Sequence, residues 1–333
     1  MPIEYKPLKI AHLPTPLEGA DRLADALGGT RIFIKRDDAT GLAGGGNKAR
    51  KLEYLAAEAL ARGANCLVTV GGPQSNHARM TAAVAAGLGL KCRLYLQGQR
   101  PQGLRGNLLL DRLLGAELIF CGACNYKEIY KQIEQDGEEL LKQGIKIYFI
   151  PLGGSNPLGS LGYVRAMTEE LVPQCKQLGI KPQAIITAAG SGGTMAGIML
   201  GLAIAGWDVP VWGYSVSASA EHVQKEVAAI FNGACELLGE SYHISPGQVQ
   251  IDTSQIGQGY GIATPGALEA LQLFARNQGL LLDSVYTAKA AAGMIAAIRR
   301  GQWKEGPVIF IHTGGWPALF AKDDVESWLL KEG

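Results

Sequence analysis

The sequence predicts an α/β fold in which parallel strands alternate with helices packed on both faces of the sheet. Three observations predict it. Short β-branched or apolar runs alternate with helix-length segments rich in Ala, Leu and Glu along the chain. The 333 residues are 47% hydrophobic and 18% charged, enough apolar material for a sizeable core and too little charge for disorder. Glycine is abundant at 45 residues, and three glycine-rich turns stand between a strand-like run and a helix-like one.

In chain order, the strand-like runs are Arg31–Lys35, Cys66–Val70, Cys92–Leu96, Glu117–Cys121, Ile147–Ile150, Ala184–Thr187, Val209–Ser215 and Val308–His312. The clearest helices are Lys48–Arg62, Ala78–Leu88, Tyr126–Lys142, Thr194–Ala205 and Pro265–Asn277. There is no repeat, low-complexity segment or linker. Open α/β sheets place ligands at the carboxyl ends of their strands, so the turns entering helices are the places to look for chemistry.

Bulk properties remove several function classes. A net charge of +1 with interspersed signs leaves no nucleic-acid footprint. The opening MPIEYKPLKI lacks the basic flank and apolar core of a signal peptide. The most apolar stretch, Met195–Trp207, is interrupted by glycine and shorter than the ~20 residues of a membrane span. The expectation is a soluble, cytoplasmic protein that binds neither membrane nor nucleic acid. Cys66, Cys92, Cys121, Cys124, Cys175 and Cys235 are scattered and do not resemble a disulfide framework. The pair Cys121 and Cys124 lacks the second pair or the histidines of a zinc site, so two ordinary thiols and no metal are expected.

The first turn is Gly44-Gly45-Gly46-Asn47-Lys48-Ala49-Arg50-Lys51. Asn47 is a suitable N-cap, and Lys48 and Lys51, three apart, share a helix face at the positive end of the dipole. A buried amine beside another cation is shifted toward its neutral form, which a nucleophilic lysine requires. The alternative is a solvated first turn, but two cations there ask for an anionic partner.

The second turn is Gly71-Gly72-Pro73-Gln74-Ser75-Asn76-His77. Ser75 or Asn76 can cap the following helix, and the same row of polar side chains suits a carboxylate or a ring hydroxyl. His77 alone is equally a packing histidine.

The third turn is Thr187-Ala188-Ala189-Gly190-Ser191-Gly192-Gly193-Thr194. Its amides, with the hydroxyls of Ser191 and Thr194, would cradle a phosphate. A dinucleotide fingerprint fails, because the third glycine of G-x-G-x-x-G falls at Met195 and the next strand offers no acidic residue for a ribose. The Lys-Ser/Thr ending of a P-loop is also missing. One isolated phosphate plus an activatable lysine points to pyridoxal 5′-phosphate.

At these residues the chain resembles the fold-type II (tryptophan synthase β-like) pyridoxal-phosphate enzymes, and among them the D-cysteine desulfhydrase and 1-aminocyclopropane-1-carboxylate (ACC) deaminase family. The resemblance rests on Pro14–Glu18, Ile34–Asp38, Gly45-Gly46-Asn47-Lys48, Gln74-Ser75-Asn76-His77, Asp283–Thr287 and His312-Thr313-Gly314-Gly315, and it spans nearly the whole chain. It implies two open twisted parallel-sheet domains with the cofactor in the cleft: residues 1–51 with 161–333 as the larger, and 52–160 as the smaller. It further implies a homodimer and a small amino-acid substrate.

Carried onto this sequence, the resemblance gives Lys48 the cofactor aldehyde and the substrate Cα proton. Lys51 and Gly190 through Thr194 take the phosphate, and Asn76 takes the ring oxygen. Gln74 and Ser75, with Asn76 and His77 beside them, face the substrate. Tyr260 and Tyr286 match the family's active-site tyrosines, placing them with Lys48 and Ser75 in the catalytic set. Thr287 and Thr313 stand near the cofactor ring where ACC deaminases carry Glu and Leu, which resembles the desulfhydrase branch. A hydroxyl there supports a weaker electron sink than a carboxylate, adequate where a leaving group drains the carbanion.

The expected reaction is β-elimination from a small β-substituted alanine, with D-cysteine the first choice. L-Cysteate sulfo-lyase is the alternative, with Arg79 a candidate cation for a sulfonate. ACC deaminase, a non-catalytic pyridoxal-phosphate-binding protein and a nucleotide-dependent oxidoreductase rank lower.

Overall fold

A computed structural model describes residues 6–304 and 306–332. Ten strands form two sheets. They are β1 (Leu17–Gly19), β2 (Ile32–Lys35), β3 (Cys66–Gly71), β4 (Lys91–Leu96), β5 (Glu117–Phe120), β6 (Ile147–Ile150), β7 (Ala184–Ala189), β8 (Val211–Ser215), β9 (Gln250–Asp252) and β10 (Val308–Ile311). One sheet has six strands in the order β1-β2-β10-β7-β8-β9; the other has four, β5-β4-β3-β6. Every pairing is parallel except β1 with β2, which runs antiparallel at the sheet edge.

All eight predicted strand runs form strands, within a few residues of their expected bounds. The sequence reading missed β1 and β9, each three residues at a sheet edge and too short to display a pattern. The antiparallel β1 also corrects the expectation of purely parallel sheets.

The inner strands read as continuous apolar runs because both faces are covered. In β10, Val308 and Phe310 pack with Phe274 and the helices Pro265–Gln278 and Thr287–Arg299. Ile309 and Ile311, pointing oppositely, join the helices Lys48–Ala61, Pro157–Arg165 and Gly193–Ile204. In β3, Leu67 faces that same cluster, while Cys66, Val68 and Val70 pack on Ile129 and Ile133 of the helix Tyr126–Lys142.

Three of these helices lie against one another at glycines. A methyl at Gly162 would come 2.2 Å from the Arg50 carbonyl oxygen, and one at Gly197 2.3 Å from that of Ser160. Only glycine admits backbone this close, so the lysine helix and the helix after Gly192 are spaced through Pro157–Arg165 by main chain. A π-helical turn, Ala166–Leu171, follows and carries Glu170 inward.

Beneath the lysine helix lies a buried ionic network. The Arg50 guanidinium donates to Asp37 Oδ1 at 2.8 Å and Oδ2 at 2.9 Å, and to Glu170 Oε1 at 2.6 Å. Lys35 Nζ donates to Glu170 Oε2 at 2.9 Å, and the Tyr163 hydroxyl to Asp37 at 2.5 Å. Arg50 and Lys35 hold the Asp37 and Glu170 carboxyls below the usual carboxylate range despite their burial. Among the described residues no helix is long and apolar enough to cross a membrane, and all six cysteines are free.

Candidate active site

All three glycine-rich turns open onto one cavity of about 810 Å³. Its lining includes Asn47, Lys48 and Lys51 from the first turn, and Gly71–Pro73 with Ser75, Asn76 and His77 from the second. The third turn contributes Ala188–Gly192 and Thr194, and from further along the chain come Tyr260, Tyr286 and Thr313.

The glycine run before Lys48 is required by backbone geometry. Gly44, Gly45 and Gly46 have φ of 89°, 72° and 132°, and a methyl at Gly45 would overlap the Asp38 carbonyl. Thr40 pins the loop, its hydroxyl accepting from Gly46 N at 2.8 Å and donating to Gly46 O at 2.9 Å. Asn47 does not cap the helix, contrary to the sequence reading. Its side chain instead donates to Thr194 Oγ1 at 2.9 Å, and its amide to Thr313 O at 3.0 Å. Asn47 thus ties the lysine turn to the third turn and to the turn after β10.

Lys48 and Lys51 share a helix face, and their ammonium groups answer to burial and to each other. Burial lowers the Lys48 pKa to about 8. Burial and then the Lys48 charge push Lys51 well below the ordinary lysine range. Lys51 Nζ donates to Ser155 Oγ at 2.9 Å, and Ser155 Oγ lies 2.7 Å from Ser191 Oγ. Among the described residues neither amine has a carboxylate within ion-pair reach. Burial and then the two lysines hold His77 well below its usual pKa, so this cavity-lining ring is neutral.

The helix Gly193–Ile204 begins at Gly192 with no side-chain cap, leaving first-turn amides for a ligand. Gly193 lies behind the lining, where a methyl would meet Ser155 Oγ at 2.8 Å and Lys51 Nζ at 2.9 Å. Two buried lysine amines without an acid, hydroxyls from Ser155, Ser191 and Thr194, and an uncapped helix start together fit a phosphate group.

On the second turn Ser75 is the N-cap, accepting from Ala78 N at 3.1 Å, and it lines the cavity as well. Asn76 lines the cavity too. Gln74 does not reach it: its Oε1 accepts from Asn107 N at 2.9 Å and its Nε2 donates to Arg105 O at 3.0 Å. The substrate contact expected of Gln74 is therefore withdrawn. Thr287 is also set back. Its hydroxyl donates to Asp283 Oδ1 at 2.7 Å in a fully buried turn, outside the cavity lining, so Thr313 alone of that pair faces the ligand. Arg79 is buried behind the turn and does not line the cavity, which removes it as a sulfonate partner.

The Tyr260 and Tyr286 hydroxyls are 2.7 Å apart, with the rings edge to face. Burial raises both pKa values, Tyr286 well above the ordinary tyrosine value, so both hydroxyls carry protons. Lys289, fully buried, donates to Ile256 O and Gly259 O at 2.8 Å each, holding the loop that carries Tyr260.

Sequence reasoning missed Ser155, Gln97, Tyr126, Tyr130, His222 and Glu226 in the lining. Ser155 had a signal, standing after Gly153-Gly154 and before the capping Asn156 at a helix start; the others sit on ordinary-looking segments.

Comparisons with known proteins agree with this geometry. The family model described as pyridoxal-phosphate dependent enzyme matches residues 8–314. A D-cysteine desulfhydrase from Salmonella typhi is 40% identical, covering 94% of this chain and 95% of that one. The crystal structure of an ACC deaminase homologue superposes with a TM-score of 0.89 at 36% identity, covering 97% of this chain and 96% of the other. A fungal L-serine ammonia-lyase from Rhizomucor miehei shares the fold, with a TM-score of 0.67 at 21% identity over 96% and 99% of the two chains. The chain belongs to the pyridoxal-phosphate dependent enzymes of fold type II, in the D-cysteine desulfhydrase and ACC deaminase family.

Proposed function

We propose that this chain is a β-eliminating lyase that converts D-cysteine and water to pyruvate, ammonia and hydrogen sulfide. The observation that carries the reading is the pair Lys48 and Lys51, buried without an acid against an uncapped helix start, in a chain 40% identical to a D-cysteine desulfhydrase. Lys48 would hold the cofactor aldehyde; Lys51, Ser191, Thr194 and the amides around Gly192 would hold its phosphate. When bound, pyridoxal phosphate supplies an electron sink for negative charge developing at the substrate Cα.

The protein's own groups do the rest. With a pKa near 8, the Lys48 amine is neutral in a useful fraction of molecules at physiological pH, and it can take the Cα proton. Ser75 and the amide of Asn76 offer donors for the substrate carboxylate and the ring oxygen. The protonated Tyr260 and Tyr286 pair can pass a proton to the departing sulfur. A sulfonate leaving group would need a cavity-facing cation at Arg79, and that side chain faces away; elimination of thiol is favoured. With Thr287 set back, the argument against ACC deaminase rests on Thr313. The two sheets support the division into 52–160 and the remainder, with β3–β6 all inside the smaller unit. A homodimer in the cytoplasm completes the reading.

The test is turnover of D-cysteine, L-cysteate and ACC side by side, reading pyruvate or 2-oxobutyrate. D-Cysteine should be the best substrate; preference for ACC would overturn the assignment. Purified protein should carry visible cofactor absorbance that Lys48→Ala removes.

A further inference from the structure

Behind the cavity wall, Arg79 and Asn107 are both fully buried and touch Asn76 from its far side. Arg79 Nη1 donates to Asn107 Oδ1 at 3.2 Å and to Asn76 Oδ1 at 3.4 Å, while Nη2 donates to the Gly45 carbonyl at 2.9 Å. A guanidinium has donors only. Asn107 must therefore turn its oxygen toward Arg79 and its Nδ2 outward. That Nδ2 donates to Asn76 Oδ1 at 2.9 Å and to Gln74 O at 2.8 Å. With its oxygen taken by two donors from behind, Asn76, which lines the cavity, keeps its Nδ2 as the end free to meet a ligand. The acids facing Arg79 are Asp111 and Asp283. Both Asp111 oxygens lack a hydrogen-bond partner, and Asp283 spends its oxygens on the amides of Val285, Tyr286 and Thr287. Neither carboxylate competes for the relay.

We infer that Arg79 and Asn107 are positioning residues that fix the polarity of Asn76, so that an amide N–H and not a carbonyl oxygen meets the cofactor's ring oxygen. This rests on the cofactor site proposed above. An N–H donor favours the ionised ring hydroxyl; a carbonyl in its place would repel it and favour the protonated form. The Gly45 contact extends the relay to the lysine turn, so the same guanidinium registers the second turn against the first.

Asn107→Asp tests this with almost no change of shape. The carboxylate still accepts from Arg79 but cannot donate, so it accepts from Asn76 Nδ2 and turns the Asn76 oxygen into the cavity. With pyridoxal 5′-phosphate as the probe, the dissociation constant should rise at least tenfold. The visible band should move to shorter wavelength, with its titration displaced to higher pH. Arg79→Lys, still a donor only, should keep the wild-type spectrum. Should Asn107→Asp fail to fold, Asn107→Ala should weaken binding at least threefold, since the Arg79 contact to Asn76 remains. A loaded Asn107→Asp or Asn107→Ala protein with wild-type spectrum and affinity overturns the relay and leaves the cofactor assignment standing. Wild-type protein that takes up no pyridoxal phosphate overturns both.

Discussion

Tyr260 and Tyr286 both line the cavity, their hydroxyls meeting at 2.7 Å. Tyr260 stands over the second turn, where a methyl at Gly72 would lie 4.0 Å from its ring, and Tyr286 over the third, 3.4 Å from one at Gly190. The pair therefore spans the space between the proposed substrate side and the proposed phosphate side. Replacing Tyr286 by Phe should lower kcat by about 10²-fold, the lower end for loss of general acid–base catalysis. KM and cofactor affinity should stay within a few-fold. A variant with wild-type kcat would show that the hydroxyl pair is only packing.

The Lys48 amine sets a pH dependence that can be read before any substrate is added. Its pKa of about 8 lies below the ordinary 10.5, so the reactive neutral form grows tenfold per pH unit up to about 8 and then levels. The rate at which cofactor-free protein gains visible absorbance with pyridoxal phosphate should follow that curve in stopped-flow measurements. A break near 10.5 would mark an ordinary exposed lysine. Between pH 8 and 10.5 the unfolded chain holds more protons at this residue than the folded one. Cofactor-free stability should therefore gain a contribution from Lys48 as pH rises across that window.

The network under the lysine helix should be costly to break. Asp37→Asn leaves the Arg50 guanidinium, buried to 1% exposure, without its bidentate partner. Loss of one member of a buried pair typically costs about 3–5 kcal/mol, measurable by denaturant unfolding of cofactor-free protein. A loss under 1 kcal/mol would mean that Glu170 alone satisfies Arg50.

Gly162→Ala should separate the lysine helix from its neighbour. The added methyl at 2.2 Å from the Arg50 carbonyl cannot be accommodated by a side-chain rotation, because the obstacle is main chain. Overpacking of this kind costs about 1–3 kcal/mol or more. Since the displaced helix carries Lys48 and Lys51, cofactor affinity should fall along with the melting temperature. Loss of stability with unchanged affinity would show that the turn is held by the Asn47 and Thr40 contacts alone.

The inner strands and the three turns were legible because burial on both faces leaves long apolar runs, and because two lysines at a helix start after a glycine run ask for an anionic partner. The edge strands β1 and β9 were not, since three residues carry no period. Orientation inside a turn was the harder matter. Gln74 and Ser75 are adjacent, yet one turns to Asn107 and the other to the cavity, and the partner that decides this lies more than thirty residues away. Thr287 was misplaced for the same reason, its hydroxyl claimed by Asp283 one helical turn earlier. Arg79 was a candidate cation only through the resemblance of Ser75–Arg79 to the sulfo-lyase branch, and only the fold reveals that it donates to Asn76 from behind.

The two walls have separate owners: Ser75 through His77 ride on β3 of the four-stranded sheet, and Gly190 through Thr194 on β7 of the six-stranded one. Mutations in the β3 turn can therefore alter the proposed substrate side while the proposed phosphate side on β7 is left untouched. Residues on one sheet can thus change without displacing the turn held by the other.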